Sequence, residues 1–256
     1  LRASGHVWHF GVLAPLALFG VWATWPRRAD LTLLYLLLAS YVVALVGSGV
    51  SVESGIPTFR GPDGIWTRLG EPSVQGYQQF LDDPAAWWKQ QLDQNADPTR
   101  TRFREAIDRA EPNPGHYALA ELERVGVLKL TITQNVDDLH RRSGSERVAE
   151  IHGNRTKVRC IGCESRWGRD EFRLEEYPTY CPECGELVKF DTVMFGEPIP
   201  RGVLDLCYQE TDRCDCMIAA GTSASVFPAA NLPNRVLANG GSVVEANTNP
   251  TPLSQR

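Results

Sequence analysis

Short apolar runs alternate with stretches of helical periodicity along this chain. YVVALV (41–46), VLKLTIT (127–133), CMIAA (216–220) and SVVEA (242–246) have the length of strands rather than helices. The longer run Leu31–Val46 is expected to supply a buried helix and then the first strand, because its end feeds a glycine turn. Between the first two strands, residues 71–109 read as short helical pieces. Asp82-Asp83-Pro84 marks a helix start, with Ala85, Trp87, Trp88 and Leu92 as its apolar positions. EPNPG (111–115) breaks the pattern, His116–Val125 is again apolar at helical spacing, and Gly126 closes that helix. Strands alternating with helices predict an α/β fold with a parallel sheet and right-handed crossovers. Ligands bind such sheets outside the strand carboxyl ends. Here those ends carry GSG, TQNVDD, GTS and NTN, all polar or glycine-rich.

The glycine turn reads GSGVSVESGIPTFR (47–60). A strand entering such a turn delivers backbone N–H groups to a phosphate. It is not G-x-G-x-x-G, since Val52 stands at the third glycine, and no Gly-Lys-Ser/Thr follows to make a P-loop. Residues 61–64 (GPDG) read as loop.

Composition narrows the class. The 256 residues suit one large domain or one domain with an inserted module. Hydrophobic content of 43% and charged content of 22% describe a globular chain. A net charge of −5 argues against nucleic-acid binding through a basic surface, and no specific nucleic-acid partner is expected. Val7–Trp25 is nearly uncharged and is followed by Arg27 and Arg28. Its length and flank fit a transmembrane helix with the rest of the chain cytoplasmic. Pro15, His9 and the two glycines within it fit a buried helix or translated upstream sequence instead. Residues 1–30 are therefore kept apart from the fold, and membrane contact is expected only if 7–25 is an anchor.

Seven cysteines, an odd number with the first four tightly paired, suit a reducing compartment, hence the cytoplasm. Cys160-x2-Cys163 and, 17 residues on, Cys181-x2-Cys184 have the spacing of a tetrahedral zinc site. The polar segment between them cannot form a core of its own, so metal binding would act as folding energy. Two redox Cys-x-x-Cys pairs are the competing reading. Four cysteine ligands leave no open position, so the expected Zn2+ is structural. Cys207, Cys214 and Cys216 are expected to pack near the strand at 216–220.

Among the histidines, His6 and His9 lie in the N-terminal stretch, and His116 reads as a packing or capping residue at a helix start. His140 ends TQNVDDLH and His152 follows a β-like run in EIHGN; residue type alone leaves a general-base role open between them. Asn135 and Asp137, two apart, face one side of an extended segment or form an Asx-type turn. No Gly-x-Ser-x-Gly elbow and no His-Glu-x-x-His is present.

Taken together, GSGVSVESGIPTFRGPDGIW (47–66), EPNPGHYALAELE (111–123), TQNVDDLH (133–140), His152-Gly153, the four cysteines, and FGE with GTSASVFPAANLP and NPTP (195–252) resemble the sirtuins, NAD-dependent protein-lysine deacylases. The likeness covers about 41–253. It implies a Rossmann-like parallel-sheet domain (31–154 and 189–256) with a helical insertion at about 65–110 and a smaller inserted zinc-ribbon module at 155–188. By this resemblance Gly47, Ser48 and Gly49 approach the NAD pyrophosphate, and Phe59 and Arg60 close over the nicotinamide ribose. Gln134, Asn135 and Asp137 line the ribose and nicotinamide pocket. Gly221, Thr222 and Ser223 take phosphate and adenosine ribose, and Asn247 the adenosine ribose. The resemblance assigns the general base to His152 rather than His140, with Asn135 and Asp137 beside it. It places an extended acyl-lysine peptide against Val193–Gly196 and Ser225–Phe227, touching Val193, Phe195, Gly196 and Val226. The implied products are free lysine, nicotinamide and O-acyl-ADP-ribose. Protein mono-ADP-ribosyl transfer and a non-catalytic NAD or ADP-ribose module are the alternatives.

Departures from the family pattern are Ser48 for Ala, Val136 for Ile, and Phe190 and Thr192 for Pro and Val. The sequence also stops at Arg256, before the family's final adenine-side segment and closing helix, so weaker cofactor binding and stability are expected. Sirtuins that remove succinyl or malonyl groups resemble one another in a Tyr and an Arg, three apart, on a helix after the cofactor loop. Aligning Ala86–Asp93 there places Trp88 and Gln91 at those positions, neither of them cationic, and predicts an uncharged acyl group.

Overall fold

The computed structural model describes residues 41–60, 64–93, 98–172 and 176–254. The expected helix within 31–40, the stretch 7–25 and most of GPDG lie outside the described residues.

Five strands form a parallel sheet: β1 (Val42–Val46), β2 (Leu128–Thr133), β3 (Val148–Glu150), and two from the C-terminal part, Cys216–Ala220 and Ser242–Ala246. A second, antiparallel sheet contains β4 (Lys157–Cys160), β5 (Arg166–Gly168), β6 (Thr179–Tyr180) and β7 (Leu187–Phe190), so the last two strands of the parallel sheet are β8 and β9. Helices α1 (Ile65–Leu69), α2 (Gly76–Asp82), α3 (Pro84–Leu92), α4 (Pro98–Arg109) and α5 (Pro114–Arg124) lie between β1 and β2. The short α6 (Leu139–Arg142) follows β2, α7 (Arg201–Asp212) precedes β8, and α8 (Leu232–Ala238) leads to β9.

Local chemistry accounts for the helix ends. The Asp83 side chain accepts from Ala86 N–H at 2.9 Å, with Pro84 opening α3. Asn113 caps α5, and Gly126 follows it at φ +77°. His116 has the expected capping role: its Nδ1 accepts the Asn113 N–H at 3.3 Å, closing a capping box.

The parallel order is β3-β2-β1-β8-β9. Every residue of β1 is fully buried, as a central strand covered on both faces requires. Val43, Leu45, Leu130, Ile132 and Met217 pack against Cys207 of α7 and Leu232 and Val236 of α8. Ile56, Ile107, Ala110 and Leu139 form a separate cluster with Phe103. Register then sets up the site. Val46 pairs with both Thr133 and Ala220, Thr133 with Glu150, and Ala220 with Ala246. All five strands therefore end level, and their loops emerge in one row. The order reverses between β1 and β8, the switch point where such sheets bind nucleotides.

Candidate functional site

At the switch point the two glycine loops lie backbone against backbone. Gly47 N–H donates to the Ala220 carbonyl at 3.1 Å, and Gly49 N–H to the Gly221 carbonyl at 2.8 Å. A Cβ on Gly49 would sit 2.6 Å from Gly221 Cα, and one on Gly221, at φ +59°, 2.4 Å from Val50 N. Neither position admits a side chain. Gln134 joins the row by donating from Nε2 to Thr222 Oγ1 at 2.8 Å. Asn247, just beyond β9, donates from Nδ2 to the Thr222 carbonyl at 3.1 Å. Ser223 Oγ lies 2.8 Å from Ser225 Oγ.

Beneath the row lies a buried polar cluster. Ser51 (0% exposed) donates to Asp137 Oδ2 at 2.7 Å and accepts from Asn135 Nδ2 at 3.0 Å. Because His116 Nδ1 is an acceptor, its proton sits on Nε2, which faces Ser51 Oγ at 3.5 Å. Asn113 Nδ2 ties the cap of α5 to Val50 O (2.8 Å) and Ser54 Oγ (3.0 Å). Asp137 realises both geometries expected of it: it accepts from Leu139 N–H at 3.1 Å in an Asx-type turn and faces the same hydroxyl as Asn135. Asn135 Oδ1 is buried with no hydrogen-bond partner among the described residues. An orphaned acceptor beside glycine loops fits a ligand carrying hydroxyl or amide donors, as NAD does. Ser51 was missed by residue-type reasoning because a serine in a polar turn carries no distinguishing signal.

His152 follows β3 and enters the row from the side. Its Nδ1 lies 3.2 Å from the Gln134 carbonyl, which only accepts, so Nδ1 carries the proton and Nε2 keeps its lone pair. Burial holds its pKa below the ordinary histidine value, and the carbonyl opposes that shift. Gly153, at φ +78°, lets the chain turn against the Asp191 carbonyl, which a Cβ would meet at 2.0 Å.

His140 is not in the row. It is 2% exposed, its ring 4.8 Å from that of His116, and neither nitrogen has a hydrogen-bond partner among the described residues. Burial, with the His116 ring second, pushes its pKa down to about 3. His116 and His152 are also lowered, both chiefly by burial. Each ring therefore takes up its proton at lower pH when folded than when unfolded. Their stability contribution is full above the unfolded value near 6.5 and is lost as pH falls towards the folded values. Between its unfolded and folded values, His140 contributes a slope of up to about 1.4 kcal/mol per pH unit. Replacing His140→Leu should therefore flatten the fall in urea-unfolding stability between about pH 6 and 4 relative to the unmodified chain. Parallel pH profiles for the two would count against this assignment.

The outer wall is aromatic. Phe103 of α4 meets Phe59 edge-on at 5.3 Å, Phe59 meets Trp66 at 5.0 Å, and Trp66 meets Phe195 at 5.4 Å. Arg60 lies 4.6 Å over the Trp66 ring and pairs with Glu71 at 3.0 Å. Trp88 is elsewhere: it is fully buried, donates to the Val188 carbonyl at 3.2 Å, and packs on Phe190 and Tyr177. The expected placement of Trp88 at an acyl-sensing position is thus corrected. The helical residues that meet Phe59 are Phe103 of α4 and Trp66 of α1. Val193 N–H donates to the His152 carbonyl at 2.9 Å, and Tyr77 N–H to the Phe195 carbonyl at 3.2 Å, so the Val193–Gly196 segment lies between His152 and α2. Gly196 has φ +82°, and Val226 is half-buried beside exposed Phe227.

The four cysteines converge as their spacing requires. All four sulfurs lie within 4.8 Å of one another, with Cys160–Cys184 at 3.4 Å and Cys163–Cys181 at 3.6 Å. A tetrahedron with Zn–S near 2.3 Å has edges of about 3.8 Å, so the set fits Zn2+. Backbone N–H groups of Gly162 and Cys163 point at Cys160 Sγ, and that of Glu183 at Cys181 Sγ, as thiolates require. Cys207, Cys214 and Cys216 are buried free thiols around β8.

Switch-point glycine loops on a parallel sheet, with a four-cysteine module beside them, define a Rossmann-type dinucleotide-binding protein with a metal-stabilised insertion. Residues 47–228 match the model of the Sir2 family. NAD-dependent protein deacylase 1 of Archaeoglobus fulgidus is 45% identical over 221 residues, covering 84% of each chain. A solved Sir2 homologue–NAD complex is 43% identical with a TM-score of 0.69, covering 87% of this chain and 84% of that one. A Sir2 complex with deacetylated p53 peptide and 3′-O-acetyl-ADP-ribose is 32% identical with a TM-score of 0.69, covering 88% and 89%. The chain belongs to the Sir2 family. Among the described residues, no helix is long and apolar enough to cross a membrane.

Proposed function

We propose that this chain is an NAD-dependent deacylase of protein lysines, releasing nicotinamide, O-acyl-ADP-ribose and free lysine. The observation that carries the reading is His152, fixed as an Nδ1–H tautomer beside the loops of the dinucleotide switch point. NAD, when bound, supplies a ribose carbon open to attack and nicotinamide as leaving group.

In this reading Gly47, Ser48, Gly49, Gly221, Thr222 and Ser223 hold the pyrophosphate and adenosine side, with Asn247 at the adenosine ribose. Gln134, Asn135 and Asp137 line the nicotinamide ribose pocket, and Phe59 and Arg60 close it. His152 Nε2 takes a ribose hydroxyl proton; its lowered pKa leaves that nitrogen unprotonated at about pH 7. The acyl-lysine peptide runs along Val193, Phe195, Gly196 and Val226. Residues 31–154 and 189–256 serve as the NAD-binding unit, 65–110 as helical insertion, and 155–188 as zinc module. None of the seven cysteines is disulfide-bonded, which supports a cytoplasmic location.

Incubation with NAD and an acetyl-lysine peptide should release one nicotinamide per lysine freed. NAD label retained on protein instead would support mono-ADP-ribosyl transfer. The aromatic wall Phe103–Phe59–Trp66–Phe195 offers no charge, and Arg60 is engaged by Glu71. A succinyl carboxylate would be buried there unpaired. Acetyl-lysine is therefore expected to exceed succinyl-lysine in kcat/KM by about 10- to 100-fold on one peptide, the worth of a charge-assisted contact. A succinyl preference would contradict it.

A further inference from the structure

The segment between Asp191 and Glu197 carries the residues to which the deacylase reading gives the acyl-lysine, and the following inference rests on that reading. Both acids have buried side chains, 0% and 2% exposed. The Arg159 side chain, itself 3% exposed, reaches both: Nε donates to Asp191 Oδ1 at 2.9 Å and Nη2 to Glu197 Oε1. Arg166 adds a second cation to Asp191 Oδ1 at 3.0 Å, but among the described residues only Arg159 joins the two acids. Each acid also grips the active region. Asp191 Oδ2 accepts the N–H of Asn154, two residues beyond His152, at 2.9 Å, and Glu197 Oε2 accepts the Met194 N–H at 2.8 Å. Lys189, fully buried, donates to the Thr192 carbonyl at 2.8 Å and pairs with Glu197 Oε2 at 3.0 Å.

Arg159 lies on β4 of the small sheet, one residue before the zinc ligand Cys160. We infer that Arg159 is a positioning residue: from the zinc module, its guanidinium closes both ends of the acyl-lysine-binding segment and sets that segment against His152. The planar fork presents two donors at a fixed angle, so one side chain holds two carboxylates at a defined separation. Lysine carries the same charge as a single point and cannot reproduce that separation. The arrangement also gives the metal module a role in binding peptide without any contact between metal and substrate.

The test is Arg159→Lys in the full chain, with acetyl-lysine peptide as substrate. KM for the peptide should rise about ten-fold or more, the loss of one charge-assisted hydrogen bond. Calorimetric Kd for NAD should stay within about two-fold, and zinc content should remain one per chain. Unchanged peptide KM, or equal losses of peptide and NAD affinity, would overturn the inference. If Arg159→Lys does not fold, Glu197→Gln preserves shape while weakening the pair; it should show the same split, and an unchanged peptide KM there would overturn it equally. Failure of the unmodified chain to release nicotinamide would count against the deacylase reading, whereas turnover with an unchanged KM in the variant counts only against Arg159.

Discussion

Replacing His152→Ala is expected to lower deacylation turnover by about 10²- to 10⁴-fold, the usual worth of a positioned acid–base group. NAD affinity should change little, because the base acts on the transition state rather than on the bound cofactor. The geometry explains the size of the effect. The Gln134 carbonyl holds the Nδ1 proton, so the ring presents an unprotonated Nε2 without having to select a tautomer. His140 offers no substitute, since its ring is buried against His116. Single-turnover rates with acetyl-lysine peptide and calorimetric NAD titration of the same variant check both halves. Full activity in His152→Ala would move the role away from this residue.

Removal of zinc is the second large effect expected. The small sheet has few apolar side chains of its own: Val158 and Val188, with Trp167, Phe172 and Phe190 at their margin. Structural zinc in isolated modules contributes about 10–16 kcal/mol at pH 7. Chelation, or Cys181→Ser, should therefore unfold the module. Trp88 reports the event directly, because its indole donates to the Val188 carbonyl and packs on Phe190. Its fluorescence should shift to the red as zinc leaves, with peptide turnover falling in step. Unchanged fluorescence and activity in zinc-free protein would show that the cysteines hold the fold without metal.

Local chemistry determined much of this protein. The apolar runs are the four longest strands of the parallel sheet, the Asp83 cap starts the helix read from it, and the Cys-x-x-Cys pairs meet as their spacing demands. Such features depend on residues close in the chain, where steric and hydrogen-bonding preferences act directly. The tertiary structure decided what distant residues do to one another. Residue type leaves His140 and His152 alike; only folding seals the first against His116 and brings the second to the Gln134 carbonyl beside the loop row. Trp88 and Phe103 are both aromatic residues on neighbouring helices, and only packing puts the first under the zinc module and the second on the Phe59 loop. Ser51 and Glu197 stand inside quoted motifs without a role of their own, and Arg159 and Asp191 gave no local signal, because their charges and hydroxyl acquire meaning only when folding removes water and brings their partners to them.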